Sequence, residues 1–136
     1  MAGETDLAKM IAEMEPRLDD RELVFCTIPG AVYGERAELR PVASVEETEG
    51  LTLVVERERA EAAGLTYEGV FRMITLQVHS SLEAVGLTAA VAGRLADLEI
   101  GANVIAGHHH DHVLVPAHRA GLALRALGAL GAEGGR

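Results

Sequence analysis

The chain has 136 residues, 49% of them apolar, a net charge of −9 and a single cysteine. That is enough apolar material for one or two small packed units, and too much for a disordered polymer. The charge argues against nucleic acid and anionic membranes, because Lys9 is the only lysine and the arginines are scattered, and one cysteine excludes an internal disulfide.

Taken in chain order, residues 5–15 have the spacing of an amphipathic helix, with Leu7, Met10, Ile11 and Met14 on one face. Thr5 stands where a cap belongs, and Pro16 marks the end. Leu23–Ile28 reads as a short buried strand closed by Pro29-Gly30, with Cys26 as a small buried hydrophobe within it. Residues 30–50 are polar and irregular, with a short strand near Pro41–Val45. Leu51–Val55 is an apolar β-branched run, followed by a short helix, Arg57–Ala63, that stops at Gly64.

The second half is more regular. Val70, Arg72, Ile74, Leu76 and Val78 share one face of a strand, and Phe71, Met73 and Thr75 the other. Ser80 or Ser81 is placed to cap a helix running to about Leu98, with Leu87, Val91, Leu95 and Leu98 as its core stripe. Gly86, Ala90 and Gly93 form a flanking stripe of small residues, suited to close approach of another element. Ile100–Ala106 and Val113–Val115 read as strands joined by a turn at Gly107–Asp111. A last helix runs from Pro116 or Ala117 to about Leu130, and Glu133–Arg136 reads as a frayed tail.

The order β-α-β-β-α in the second half, with a degenerate version in the first, predicts an α+β fold of ferredoxin-like architecture. Its sheet is antiparallel with helices on one face. Two such units in so short a chain imply that each borrows a strand from the other. The expected division is 1–66 and 67–136.

Three stretches carry a family resemblance: Glu49–Leu53, Ile74–Ala90, and Asn103–Gly107 followed by His110-Asp111-His112. Together they resemble the ACT-domain family, most of all its small stand-alone members, over almost the whole chain. The resemblance implies regulatory βαββαβ modules that pair side by side and bind free amino acids at the seam between units. It implies a site at the loop after the first strand and the following helix start, made of His79, Ser80, Ser81, Glu83, Ala84, Val85, Gly86 and Thr88. Asn103, Val104 and Ile105 of a neighbouring unit complete it. The sequence departs from the family's enzyme-linked pattern, so no catalytic domain is expected.

The residues themselves fit that chemistry. A helix N-terminus attracts an amino acid's carboxylate, Glu83 could meet the ammonium, and Gly86 would let a ligand approach the backbone. The plain alternative is a well-capped helix with a Glu in its first turn. His108–His112 is a second cluster: His110, Asp111 and His112 could ligate a zinc-like ion, or the run is only a polar hairpin, or its imidazoles tune pairing with pH. Glu46–Glu49 reads as a solvated acidic loop, with Glu49 as a further ligand candidate. No Gly-x-Ser-x-Gly elbow, phosphate loop or dinucleotide fingerprint is present.

The expectation is therefore a non-enzymatic amino-acid sensor without a cofactor, homodimeric through sheet and helix pairing, acting on an unidentified regulated protein. A metal-binding protein or metal-dependent enzyme, and an interaction module with no ligand, are the alternatives. Residues Met1–Asp6 carry no apolar signal core and no apolar run nears the ~20 residues of a membrane span, so the expected location is the cytoplasm.

Overall fold

The structure, a computed structural model, describes Gly3, residues 6–79 and residues 81–134. The chain forms two compact units. One is split in sequence, comprising Met1–Asp20 with Arg72–Arg136; the other is inserted, comprising Arg21–Phe71. The expected division at residue 66 follows sequence order, whereas the second compact unit is inserted into the sequence of the first at Arg21–Phe71.

The split unit contains α1 (Leu7–Glu13), β1 (Pro16–Leu18), β5 (Phe71–Leu76, of which Phe71 belongs to the inserted unit), α3 (Leu87–Asp97), β6 (Asn103–Ala106), β7 (Asp111–Pro116) and α4 (Ala120–Gly134). Its strand order is β1-β5-β7-β6. β1 pairs antiparallel with β5 (Pro16 opposite Leu76), and β6 pairs antiparallel with β7 (Asn103 opposite Leu114). In sequence the strand–helix pattern starts at β5, and its last strand is supplied from the N-terminal end by β1. Arg72 fixes that segment: its guanidinium donates twice to the Asp19 carbonyl, at 3.0 and 2.7 Å, while the Asp19 N–H donates to the Met73 carbonyl.

One face of this sheet is apolar because alternate residues share a face. Ile74, Leu76, Val113 and Val115 pack there against Met10 of α1 and Met14 just beyond it, Leu87, Val91 and Leu95 of α3, and Ala120, Ala123 and Leu127 of α4. The helical stripes at 87, 91, 95 and at 120, 123, 127 thus face the core as their spacing predicts.

Three local features differ from the sequence expectation. The α1 cap is Asp6, whose side chain accepts from the Lys9 N–H; Thr5 lies outside the described residues. The third helix starts at Leu87, not after Ser80 or Ser81, with Gly86 as N-cap at φ 102°. Residues 81–84 form a turn instead, in which Ala84 N–H donates to the Ser81 carbonyl. Gly86 at φ 102° is out of the helical region, so the helix cannot run back through it, and a Cβ there would stand 2.9 Å from Leu7 Cδ2. Finally, α4 continues through Glu133, whose carboxylate pairs with Arg94, so the start of the expected frayed tail is helical; residues 135–136 lie outside the described residues.

The inserted unit contains β2 (Leu23–Ile28), β3 (Ala43–Glu47), β4 (Gly50–Glu56) and α2 (Arg57–Ala62). Its order is β3-β4-β2, with Phe71 opposite Leu23 on the far side of β2. β3 and β4 form a hairpin closed by Thr48-Glu49. Glu46 and Glu47 therefore belong to a strand, where a solvated loop was expected. Each is engaged: Glu46 accepts from the Tyr33 N–H at 2.8 Å and Glu47 from the Thr52 hydroxyl. The helix expected between the first two strands of a βαββαβ unit is replaced by residues 29–42, which hold only a 3-10 turn at Ala37–Leu39. Pro29, Pro41 and the left-handed Gly30, Gly34, Arg36 and Arg40 forbid a continuous helix. This is the degenerate first unit. Its core gathers Val24, Cys26, Leu39, Leu51, Leu53, Val55 and Ala60. Burial pushes the Cys26 thiol's pKa up, which keeps it protonated and inert.

Candidate functional site

The split unit holds a cavity of about 150 Å³ lined by Ser81, Leu82, Ala84, Gly86, Leu87, Thr88, Ala106 and Asp111. Its position follows from the topology. β5 and β7 are neighbours in the sheet, so the loop leaving β5 and the start of β7 lie side by side. The loop supplies Ser81 to Gly86, α3 supplies Leu87 and Thr88, and the β6–β7 hairpin supplies Ala106 and Asp111.

Its chemistry is mixed. It takes in the N-terminus of α3, whose N-cap is a glycine with no side-chain acceptor for the first N–H groups. Such N–H groups, reinforced by the helix dipole, favour an anion. Asp111 lines the same cavity, and a carboxylate there favours a cation. Leu82, Ala84, Leu87 and Ala106 make up the apolar part of the lining.

Of the residues expected here, Ser81, Ala84, Gly86 and Thr88 line the cavity. Ser80 lies outside the described residues. Glu83 is exposed in the turn and its N–H donates to the Ser81 hydroxyl at 3.2 Å, so it is not in the first turn of a helix and does not line the cavity. Val85 is 83% exposed. Asn103, Val104 and Ile105 belong to β6, where Asn103 Nδ2 donates to the Leu114 carbonyl at 3.4 Å; the cavity takes the next residue, Ala106. Asp111, a metal-ligand candidate by sequence, lines the same cavity as the α3 N-terminus, a proximity that follows from β5 and β7 being neighbours.

His79 and the hairpin histidines gather beside this cavity, on the same two segments. Ring centroids are 5.2 Å apart for His79 and His109, 6.0 Å for His79 and His108, and 5.0 Å for His108 and His109. The sequence places His79 far from the hairpin, so its company there is a product of the strand order. His110 and His112 turn to neighbouring groups instead. His110 Nδ1 lies 3.4 Å from the Val78 carbonyl, and His112 Nδ1 lies 2.9 Å from the Thr75 hydroxyl. The suggested ligand set His110, Asp111 and His112 is thus not assembled, and among the described residues no three His, Cys, Asp or Glu side chains stand ready to hold a metal ion. Burial holds the His112 pKa below the ordinary imidazole value, helped by His110 and opposed by Asp111.

The inserted unit has a second cavity, of about 130 Å³, bounded by Tyr33, Gly34, Glu35, Ala37, Pro41, Ser44, Leu51 and Leu53. It lies against the segment that replaces the missing helix. Glu49 belongs to the hairpin turn and does not line it.

These features define a class: two ferredoxin-like units in one chain, one with a helix-terminus cavity and one with its first helix lost. The comparisons agree. ACT-domain profiles match residues 2–72 and residues 68–129, so the chain belongs to the ACT-domain family, whose members are ligand-binding regulatory domains. A crystal structure of a Vibrio cholerae protein of unknown function, described as a possible transport protein, is 49% identical with a TM-score of 0.84, over 92% of this chain and 95% of that one. A protein from Agrobacterium tumefaciens has a TM-score of 0.72 at 15% identity, over 88% and 90% of the two chains. The ligand-free regulatory subunit of aspartate kinase from Thermus thermophilus has a TM-score of 0.61 at 14% identity, over 85% and 95%. These last two share the fold. No curated protein matches the chain in sequence. Both profile matches are to regulatory domains and none is to a catalytic domain. Among the described residues, no helix is long and apolar enough to cross a membrane.

Proposed function

We propose that the protein is a cytoplasmic sensor that reversibly binds a free amino acid in the cavity of the split unit. The observation that carries this reading is the uncapped α3 N-terminus facing the same cavity as Asp111. A zwitterion places an anionic and a cationic group close together, and this cavity offers a complement to each. The carboxylate is read by the N–H groups at Leu87 and Thr88, and the ammonium by Asp111. The ligand's side chain lies along Leu82, Ala84 and Ala106. Binding is transmitted by favouring one arrangement of paired ACT units in a homodimer, and through it a regulated protein.

The test is a thermal-shift screen of the tag-free chain against the common amino acids. A selective rise in melting temperature, absent in Asp111→Asn and retained in Glu83→Gln, supports the reading. Loss in Glu83→Gln with retention in Asp111→Asn would place the ligand elsewhere. A flat screen would instead favour an interaction module without a small ligand. Gly86→Val is unsuited to this purpose, because its side chain would collide with Leu7 and perturb the fold itself.

A further inference from the structure

The cavity of the split unit bounds a ligand in size and in charge. On the reading that it is the amino-acid site, we infer that its ligand is a small α-amino acid with an uncharged side chain, of the class of glycine, alanine and serine. The cavity volume is about 150 Å³. A protein cavity of about that volume holds benzene, a ligand of about six non-hydrogen atoms, and the head common to all α-amino acids takes about five of these. What remains admits a β-carbon and little beyond it. The lining is exposed at Leu82 and Thr88, so a longer side chain has only that open side to leave by. Out there it meets water, and its apolar surface gains no burial.

Charge narrows the class further. Asp111 is the only charged side chain in the lining, which holds no Lys, Arg or His. An aspartate or glutamate ligand would bring a second anion beside Asp111 with no cation to offset it, and the net charge of −9 opposes it as well. A lysine or arginine ligand carries a second cation, whereas the lining offers one carboxylate, already matched by the α-ammonium. The polar groups that remain are hydroxyls. Ser81 Oγ accepts from the Glu83 N–H at 3.2 Å, which leaves its own proton to donate, and Thr88 brings a second hydroxyl. A methyl group fits beside Ala84 and Ala106, and a β-hydroxyl finds partners in the same wall.

The experiment is calorimetric titration of the tag-free full chain with glycine, L-alanine, L-serine, L-leucine, L-phenylalanine, L-aspartate and L-lysine in turn. The expected result is binding of one or more of the first three, each at least about tenfold tighter than any of the last four. Two variants move the size limit in opposite directions. Ala106→Val narrows the cavity and should weaken alanine and serine by about tenfold or more while sparing glycine. Leu82→Ala widens it and should admit L-valine. Both positions are exposed, and circular dichroism checks that each variant folds. Tightest binding of leucine, phenylalanine, aspartate or lysine, lost in Asp111→Asn, overturns the size and charge class while leaving the cavity as the amino-acid site. Binding of a small amino acid that neither Asp111→Asn nor Ala106→Val weakens places the ligand elsewhere and overturns both. Absence of heat with all seven likewise overturns both.

Discussion

His112 is the residue with the clearest consequence for pH. Its pKa in the folded chain is depressed below the ordinary 6.5, chiefly by burial, so the folded state prefers the neutral ring bonded to Thr75. On acidification the unfolded chain takes up the proton first, and stability falls as pH drops through 6.5 toward the lower folded value. Above that window His112 contributes no slope. Melting temperatures between about pH 7 and 5 should therefore decline, and the decline should be shallower in His112→Gln, whose amide can keep a bond to Thr75. An unchanged slope would show that other groups set the acid sensitivity. Gly50 offers a second test at this scale. It has φ 143°, and a Cβ there would lie 2.5 Å from the Ile28 carbonyl oxygen. Gly50→Ala should destabilise by about 1–3 kcal/mol in denaturant titrations, because both the backbone conformation and the close approach oppose a side chain.

Among the elements, α3 both seals the core and starts at the cavity. Leu95 on its inner face is fully buried, so Leu95→Ala should cost about 2–5 kcal/mol, measurable as a lowered urea midpoint with an unchanged slope. A cost below 1 kcal/mol would mean that the stripe is not core. That stripe was legible in the sequence because a 3.6-residue repeat is a property of the helix alone. The strands at 23–28 and 51–55 were legible as short apolar, β-branched runs and that at 70–78 as a two-residue alternation, apart from their ends. The start of α3 was not. Ser81-Leu82-Glu83 has the chemistry of a helix cap, but the backbone at Gly86, at φ 102°, keeps the helix from starting before Leu87, a conformation no residue pattern announces. β1 was also hidden: three residues beginning with a proline carry no strand pattern, and their pairing exists only through β5. The candidate site divides similarly. The loop and helix start were readable as one contiguous stretch, whereas Asp111 in the same cavity and His79 beside the hairpin depend on β5 and β7 being neighbours.

For the whole molecule, the proposed function makes binding and assembly two sides of one equilibrium. A ligand at about a hundred times its dissociation constant stabilises the state that binds it by about 2.7 kcal/mol, a shift of several degrees in melting temperature. If that state is the paired one, reciprocity requires that the ligand tighten pairing by the same factor by which pairing tightens the ligand. Couplings of about 1–3 kcal/mol are usual, corresponding to about 5–150-fold in the dimer dissociation constant. Sedimentation equilibrium over a range of protein concentrations, with and without the amino acid found by the thermal screen, measures that factor directly. Asp111→Asn should show the unliganded dimer constant under both conditions, since it removes the ligand's cationic contact and leaves the sheet and helices untouched. A ligand that raises melting temperature yet leaves the dimer constant unmoved would be bound by each copy independently. The regulatory signal would then have to travel through a change within one chain.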